Sequence, residues 1–164
     1  MMKLHQLSVE DGIDVYNMLQ RIERDANAFN NEVNGMSFED YKSWLIRQDC
    51  WSRGEELPEG YVTQWVYWLY DGITPVGYGK LRSEITEQSR KFGGNLGFSI
   101  DPQQRGKGYG TILLKLLLEE ARKKNIEELF STVEKFNYPS KVIHEKNGGK
   151  LVDENEIRWF FEFK

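Results

Sequence analysis

Sulfur and imidazole are scarce in this chain, which has one cysteine, Cys50, and two histidines, His5 and His144. One thiol excludes an internal disulfide and a cysteine-based zinc site, and no metal is expected. Neither histidine is tied to Cys50 by its position, so a Cys–His nucleophile has no evident basis. A half-buried thiol at a helix end is the plainer reading of Cys50. Long apolar runs are also missing: no stretch approaches the roughly 18 residues of a membrane span. His5 and Gln6 follow at once on Met1-Met2-Lys3-Leu4, so a cytoplasmic protein with no membrane partner is the expectation. Repeats, low-complexity tracts and linkers are absent. So is any basic excess: 22 Lys and Arg against 26 Asp and Glu leave a net charge of -4. That removes the general reason to expect nucleic-acid binding.

What is present suits a folded domain. A chain of 164 residues can bury a real core and is short for two units, so residues 1–164 are expected to form one domain. Five Trp, eight Tyr and nine Phe supply large apolar area for that core.

The hydrophobic spacing predicts alternating elements. Lys3 to Leu7 reads as a short strand. Val9 to Arg24 places Val9, Ile13, Tyr16, Leu19 and Ile22 at helical intervals behind Ser8 as cap. Ser37 to Gln48 reads as a second capped helix. Tyr61 to Tyr70 and Pro75 to Ile85 form a hairpin about Asp71-Gly72. Thr86 to Gly93 reads as polar loop, and Asn95 to Ile100 as a strand stopped by Asp101-Pro102. Gly108 to Lys124 is the strongest helix, with Tyr109, Ile112, Leu113, Leu116, Leu117 and Ala121 on one face. Asn125 suits a left-handed C-terminal position. Leu129 to Val133 is a strand, Ser140 to Lys146 a short helix, and Leu151 with Ile157 to Phe163 the closing strands. This order implies a mixed α/β sheet.

The chemistry centres on Gln103-Gln104-Arg105-Gly106-Lys107-Gly108, between a strand and the long helix. A helix start leaves four N–H groups unpartnered and carries about half a positive charge, which suits a phosphate. Gly106 and Gly108 let backbone approach a ligand closely, while Arg105 and Lys107 add charge. The phosphate-binding P-loop pattern fails, because Gly106-Lys107 is followed by Gly108 and not Ser or Thr. The dinucleotide pattern fails on the spacing Gly106, Gly108, Gly110.

Gln103-x-x-Gly106-x-Gly108 resembles the Q/R-x-x-G-x-G/A signature of the GNAT superfamily of N-acetyltransferases. Leu96 to Pro102 looks like that family's fourth strand and Gly108 to Lys124 like the following helix. Asn137-Tyr138-Pro139-Ser140 is similar to its N-x-x-S segment, and Ser140 to Gly149 to its S-x-x-x-Y-E-K-x-G-F helix. Leu57 to Tyr61, Leu81-Arg82 and Ile143 to Gly149 resemble, more narrowly, a bacterial subgroup of predicted acetyltransferases. The first 50 residues match loosely.

The resemblance implies a mostly antiparallel central sheet flanked by helices, with splayed fourth and fifth strands. It implies acetyl-CoA as co-substrate. Phe98, Ser99 and Ile100 would pair with the pantetheine arm, and one N–H there would polarise the thioester. The amides from Gln104 through Gly106, Gly108 and Tyr109 to Gly110 would hold the pyrophosphate. Asn137 and Ser140 would contact pantetheine or the far part of the coenzyme. His144 stands where many members have a tyrosine that protonates the departing thiolate, and is the candidate general acid. Glu84 and Glu87 are candidate bases for the acceptor amine, against the plain reading of solvated surface acids. The expected reaction is direct transfer of acetyl to a primary amine of a small molecule or peptide. A non-catalytic acyl-CoA-binding module of the same fold is the alternative. A nucleotide-binding protein outside the family is a third reading. Exposed strand edges near the C terminus leave room for a homodimer.

Overall fold

The computed structural model describes residues 1–26 and 28–164. Its elements run β1 (Met2–Gln6), α1 (Ile13–Arg21), β2 (Asp25–Ala26), β3 (Phe29–Asn30), α2 (Phe38–Ser52), β4 (Gln64–Asp71), β5 (Thr74–Arg82) and α3 (Glu87–Phe92). Then come β6 (Leu96–Ile100), a 3₁₀ turn at Pro102–Gln104, α4 (Tyr109–Lys123), β7 (Leu129–Glu134), α5 (Tyr138–Lys146), β8 (Lys150–Glu154) and β9 (Arg158–Phe163). The mixed α/β class with an antiparallel sheet agrees with expectation.

Two antiparallel sheets carry the fold. One has the order β1-β4-β5-β6, the other β7-β9-β8. The β4–β5 hairpin closes through Gly72-Ile73, with Gly72 at φ 61°, the positive φ that primed hairpin turns require. Strand β4 alternates as a strand buried on both faces must. Tyr67 and Leu69 join the core beneath α4, whereas Val66 and Trp68 join an aromatic core under α1 and α2. In that second core Trp44, Trp68 and Tyr78 meet at centroid distances of 5.1 to 6.3 Å. Helix α4 lies close on β5 because Gly77 and Gly79 present no side chain; a Cβ on Gly79 would stand 2.9 Å from Leu117 Cδ2.

Three sequence expectations change. Helix α1 begins at Ile13, not Val9. The Asp11 carboxylate accepts from Ser8 N at 2.8 Å and the Ser8 hydroxyl from Glu10 N at 3.2 Å. These local bonds form a turn that competes with helix. Residues 86–93, read as loop, hold α3. Thr86 and Ser89 cap one another reciprocally, and with no buried residue the helix shows no apolar stripe. The β2–β3 ribbon, two residues per strand, is too short for any periodicity. Other details agree: Ser37 caps α2 by accepting from Asp40 N at 3.1 Å, and Asn125 is left-handed at φ 58°. No helix among the described residues is long and apolar enough to cross a membrane.

Candidate active site

Strands β6 and β7 are neighbours that diverge. They meet only at their starts, where Gly94 bridges Ser131 and Asn95, fully buried, ties the two sheets together. Asn95 N donates to Phe130 O at 2.9 Å, its Oδ1 accepts from Phe130 N at 2.9 Å, and its Nδ2 donates to Glu128 O at 2.7 Å. Its own carbonyl accepts from Arg82 N of β5 at 2.7 Å. Beyond this knot the strands part, and β6 pairs with β5 alone.

The register says which backbone groups enter the wedge. Asn95 O and Asp101 N both bond to β5, so the odd residues of β6 face that strand and the even ones face away. Phe98 and Ile100 therefore direct N–H and C=O into the wedge. Ser99, expected to share that role, commits its backbone to Tyr78 opposite. Ile100 O accepts from Arg105 Nε at 3.1 Å.

The loop after β6 is anchored by Asp101, which is 1% exposed. Its Oδ1 accepts from Gln103 N at 3.0 Å, and its Oδ2 pairs with Arg21 NH2 at 2.7 Å. Sequence reading treated Asp101 only as a strand stop. Gly106 and Gly108 both take left-handed conformations, at φ 81° and 82°. A Cβ at either would meet nothing within 4 Å, so backbone conformation, not space, demands glycine there. Gly108 caps α4, whose first turn brings the amides of Tyr109 and Gly110 to the loop. Tyr109 hydroxyl donates to Asp71 Oδ2 at 2.6 Å and ties that turn to the β4–β5 hairpin.

The two basic side chains are engaged locally. Arg105 pairs with Glu23 at 3.0 Å, and Lys107 donates to Gln104 Oε1 at 2.8 Å. A cavity of about 670 Å³ opens here, lined by Phe98, Ser99, Ile100, Gln104, Arg105, Gly106, Gly108, Tyr109, Gly110, Asn137 and Ser140 among others. Gln103 and Lys107 do not line it.

A second cavity of about 270 Å³ lies across the wedge, and it shares Ala26, Phe98, Asn137 and Ser140 with the first. Its walls come from β2–β3, β5, the end of α3 and β7. Lys80, Arg82, Phe92 and Ser131 line it, and sequence reading assigned Lys80, Arg82 and Ser131 no role. Asn137, the N-cap of α5, and Ser140, in its first turn, therefore stand where the two cavities meet.

His144 lies at the base of that junction, 2% exposed. It is surrounded by the rings of Phe98, Phe161 and Phe163 at centroid distances of 5.9, 5.2 and 5.8 Å. Its Nδ1 lies 2.7 Å from Ser140 O, a pure acceptor, so Nδ1 carries the proton. Its Nε2 then accepts from Ser131 Oγ at 2.9 Å. Burial drives its pKa down to about 4, only partly offset by the Ser140 carbonyl. The ring is neutral at pH 7, with both nitrogens engaged. Glu84 and Glu87 are exposed and line neither cavity. Cys50, half-buried on α2, also lines neither. Among the described residues no group of His, Cys, Asp and Glu is placed to hold a metal.

Over nearly its full length the chain resembles the ribosomal-protein-S5-alanine acetyltransferase from Vibrio fischeri, with a TM-score of 0.75 at 12% identity over 99% of this chain and 92% of that one. It resembles an N-acetyltransferase of Campylobacter jejuni solved with acetyl coenzyme A, with a TM-score of 0.63 at 12% identity over 100% and 99% of the chains. A putative acetyltransferase from Salmonella typhimurium, with its cofactor acetyl-CoA, gives a TM-score of 0.66 at 15% identity over 99% and 93%. At such identities these likenesses concern the fold. No curated protein matches the chain in sequence. The model of the acetyltransferase (GNAT) family, however, matches residues 16–148; with the signature Gln103-x-x-Gly106-x-Gly108 inside that span, this chain belongs to the GNAT acetyltransferase family.

Proposed function

We propose that the protein is an acetyl-CoA-dependent N-acetyltransferase, one domain over residues 1–164, that acts on a primary amine by direct attack. The observation that carries this reading is the meeting of two cavities at Phe98, Asn137 and Ser140. One cavity has a glycine-rich loop that opens a helix, the other is open to an acceptor. The coenzyme would lie with its pyrophosphate on the amides from Arg105 to Gly110, since the Gln104 amide, expected to share that role, donates to Asp101 O at 2.8 Å, and its pantetheine along the free edge of β6. Asn137 and Ser140 would contact its thioester end.

The acceptor amine reaches the acetyl carbon from the smaller cavity. Its lone pair forms the C–N bond, and the oxyanion that develops is met by the inward N–H of Phe98. Collapse breaks the C–S bond. The sulfur leaves as thiolate, which a thiol pKa of about 8.5 permits without a donor at the sulfur. The ammonium proton passes to water in the open cavity. His144 enters as a positioning residue: it holds the Ser131 hydroxyl on one side and the start of α5, through Ser140, on the other. A neutral imidazole with both nitrogens engaged suits that role better than general acid. Glu84, in an exposed bend, has no counterpart in this scheme.

Two measurements test it. Titration with acetyl-CoA should show binding that Gly108→Val weakens about tenfold or more, because a β-branched residue at φ 82° distorts the loop. Thiol release should require both acetyl-CoA and an amine. Unchanged affinity in Gly108→Val would remove the loop from the coenzyme site. A second reading, an acyl-CoA-binding module without turnover, draws support from the neutral His144. Stabilisation by acetyl-CoA with no thiol release over a broad amine panel would select it.

A further inference from the structure

The acceptor-side cavity has a charge character opposite to that of the whole chain. The protein has 26 acidic residues against 22 basic, yet no Asp or Glu is found among the described residues that line this cavity. Its charged lining is Lys80 and Arg82. They stand two apart on β5, hence on one face of that strand, about 7 Å apart along it. Lys80 pairs with Gly97 in the register, and the Arg82 amide bonds to Asn95. The two side chains therefore lie on the face of the sheet that Gly97 leaves bare, and both line the cavity that extends to Phe98.

Among the described residues, no carboxylate forms an ion pair with Lys80 or Arg82. Lys80 Nζ donates to Asn30 O at 2.5 Å and lies 4.6 Å from the Phe29 ring centroid. Arg82 donates to Gly94 O at 3.2 Å. Glu32, the acid whose field reaches Lys80, already accepts from Trp44 Nε1 at 2.6 Å and pairs with Arg47 at 3.5 Å. Lys80 is pushed down to about 7, by burial first and by Arg82 second. A strand that holds two half-buried cations side by side with no acid between them costs stability unless a ligand compensates.

We infer that Lys80 and Arg82 form an anion subsite, and that the acceptor is a small amine bearing a carboxylate or phosphate a few ångströms from its nitrogen. In this arrangement the anion docks between Lys80 and Arg82 while the amine points up the wedge toward Phe98. The aromatic walls at Phe29 and Phe92 flank the segment between. Polyamines and strongly basic peptides are disfavoured, since they bring positive charge against two uncompensated cations. The inference rests on the acyl-transfer reading for the amine, whereas the anion subsite is tested by binding alone.

The experiment titrates the wild-type protein, saturated with coenzyme A, with matched acetylated pairs. N-acetylglycine is set against N-acetylglycinamide, and N-acetyl-O-phosphoethanolamine against N-acetylethanolamine. The anionic member of at least one pair is expected to bind about 10- to 100-fold more tightly, the pair that shows this telling carboxylate from phosphate. Arg82→Gln and Lys80→Met should each erase most of the difference while coenzyme affinity stays the same, and Arg82→Lys should restore part of it. Equal affinity within both pairs, or a preference that survives Arg82→Gln and Lys80→Met, would overturn the subsite. If the preference holds and no amine supports thiol release, the transferase reading fails and the anion subsite stands.

Discussion

Gly94→Ala is expected to lower stability by about 2–4 kcal/mol, the sum of left-handed strain and forced overpacking. Gly94 has φ 71°, and a Cβ there would fall 1.9 Å from Phe130 O and 2.5 Å from Phe130 C. Those are backbone atoms, held by the Asn95 bonds to Phe130 on both N and O, and no side-chain rotation relieves the overlap. The strands must separate where the two sheets join. Gly148→Ala is the matched control: its φ is 82°, but a Cβ would meet nothing within 4 Å. It should cost only the strain, about 1 kcal/mol. Urea midpoints of the two variants measure the difference. Equal midpoints would mean that the contact at Gly94 yields easily. Coenzyme affinity should fall in Gly94→Ala and hold in Gly148→Ala, because only the first widens the wedge at its base.

Acid should expose the second large effect. An imidazole free in the unfolded chain has a pKa near 6.5, whereas that of His144 in the folded protein is about 4. Above pH 6.5 both states are neutral and His144 makes no pH-dependent demand. As pH falls below 6.5 the unfolded chain takes the proton first, so stability drops with each unit until the folded pKa is reached near 4. The interval corresponds to about 3 kcal/mol. His144→Gln has no proton to take up. Between pH 6.5 and 4 its stability should therefore fall about 3 kcal/mol less than that of the wild type. Parallel curves would mean that His144 is hydrated in the folded state. The same burial bears on catalysis, because a group that resists protonation at pH 7 has no proton to give from Nε2.

Features with strong local physics were legible in the sequence. The apolar face of α4, the Asp71-Gly72 hairpin, the Ser37 cap and the glycine loop each declare themselves within a few residues. What escaped is non-local or balanced. Helix α3 buries no residue, its single apolar side chain, Phe92, standing exposed, and it announces itself only through Thr86 and Ser89. The start of α1 depended on local bonds among Ser8, Glu10 and Asp11 that periodicity does not weigh. Lys80 and Arg82 look like the wet face of a strand. They become cavity walls only because β3 and α3 fold over them from distant parts of the chain. Asp101 reads as a strand terminator until Arg21, 80 residues earlier, arrives to pair with it. His144 was found through its place in a family pattern, yet its protonation state depends on Phe98, Phe161 and Phe163, which close on it only in three dimensions.

The wedge also bears on how the protein behaves without its coenzyme. Most sheets keep unpaired edges at their periphery and blunt them with charge or bulges. Here the inner edge of β6 lies at the middle of the molecule, flanked by Phe98 and Ile100 and faced by β7. Amides in such a strand should exchange hydrogen with solvent as rapidly as those of an outer strand, despite their central location, and slow when pantetheine lies along them. Any extended chain of suitable width is a competitor for that slot, so on the proposed binding mode the coenzyme would act as a removable strand that keeps the protein from accepting another.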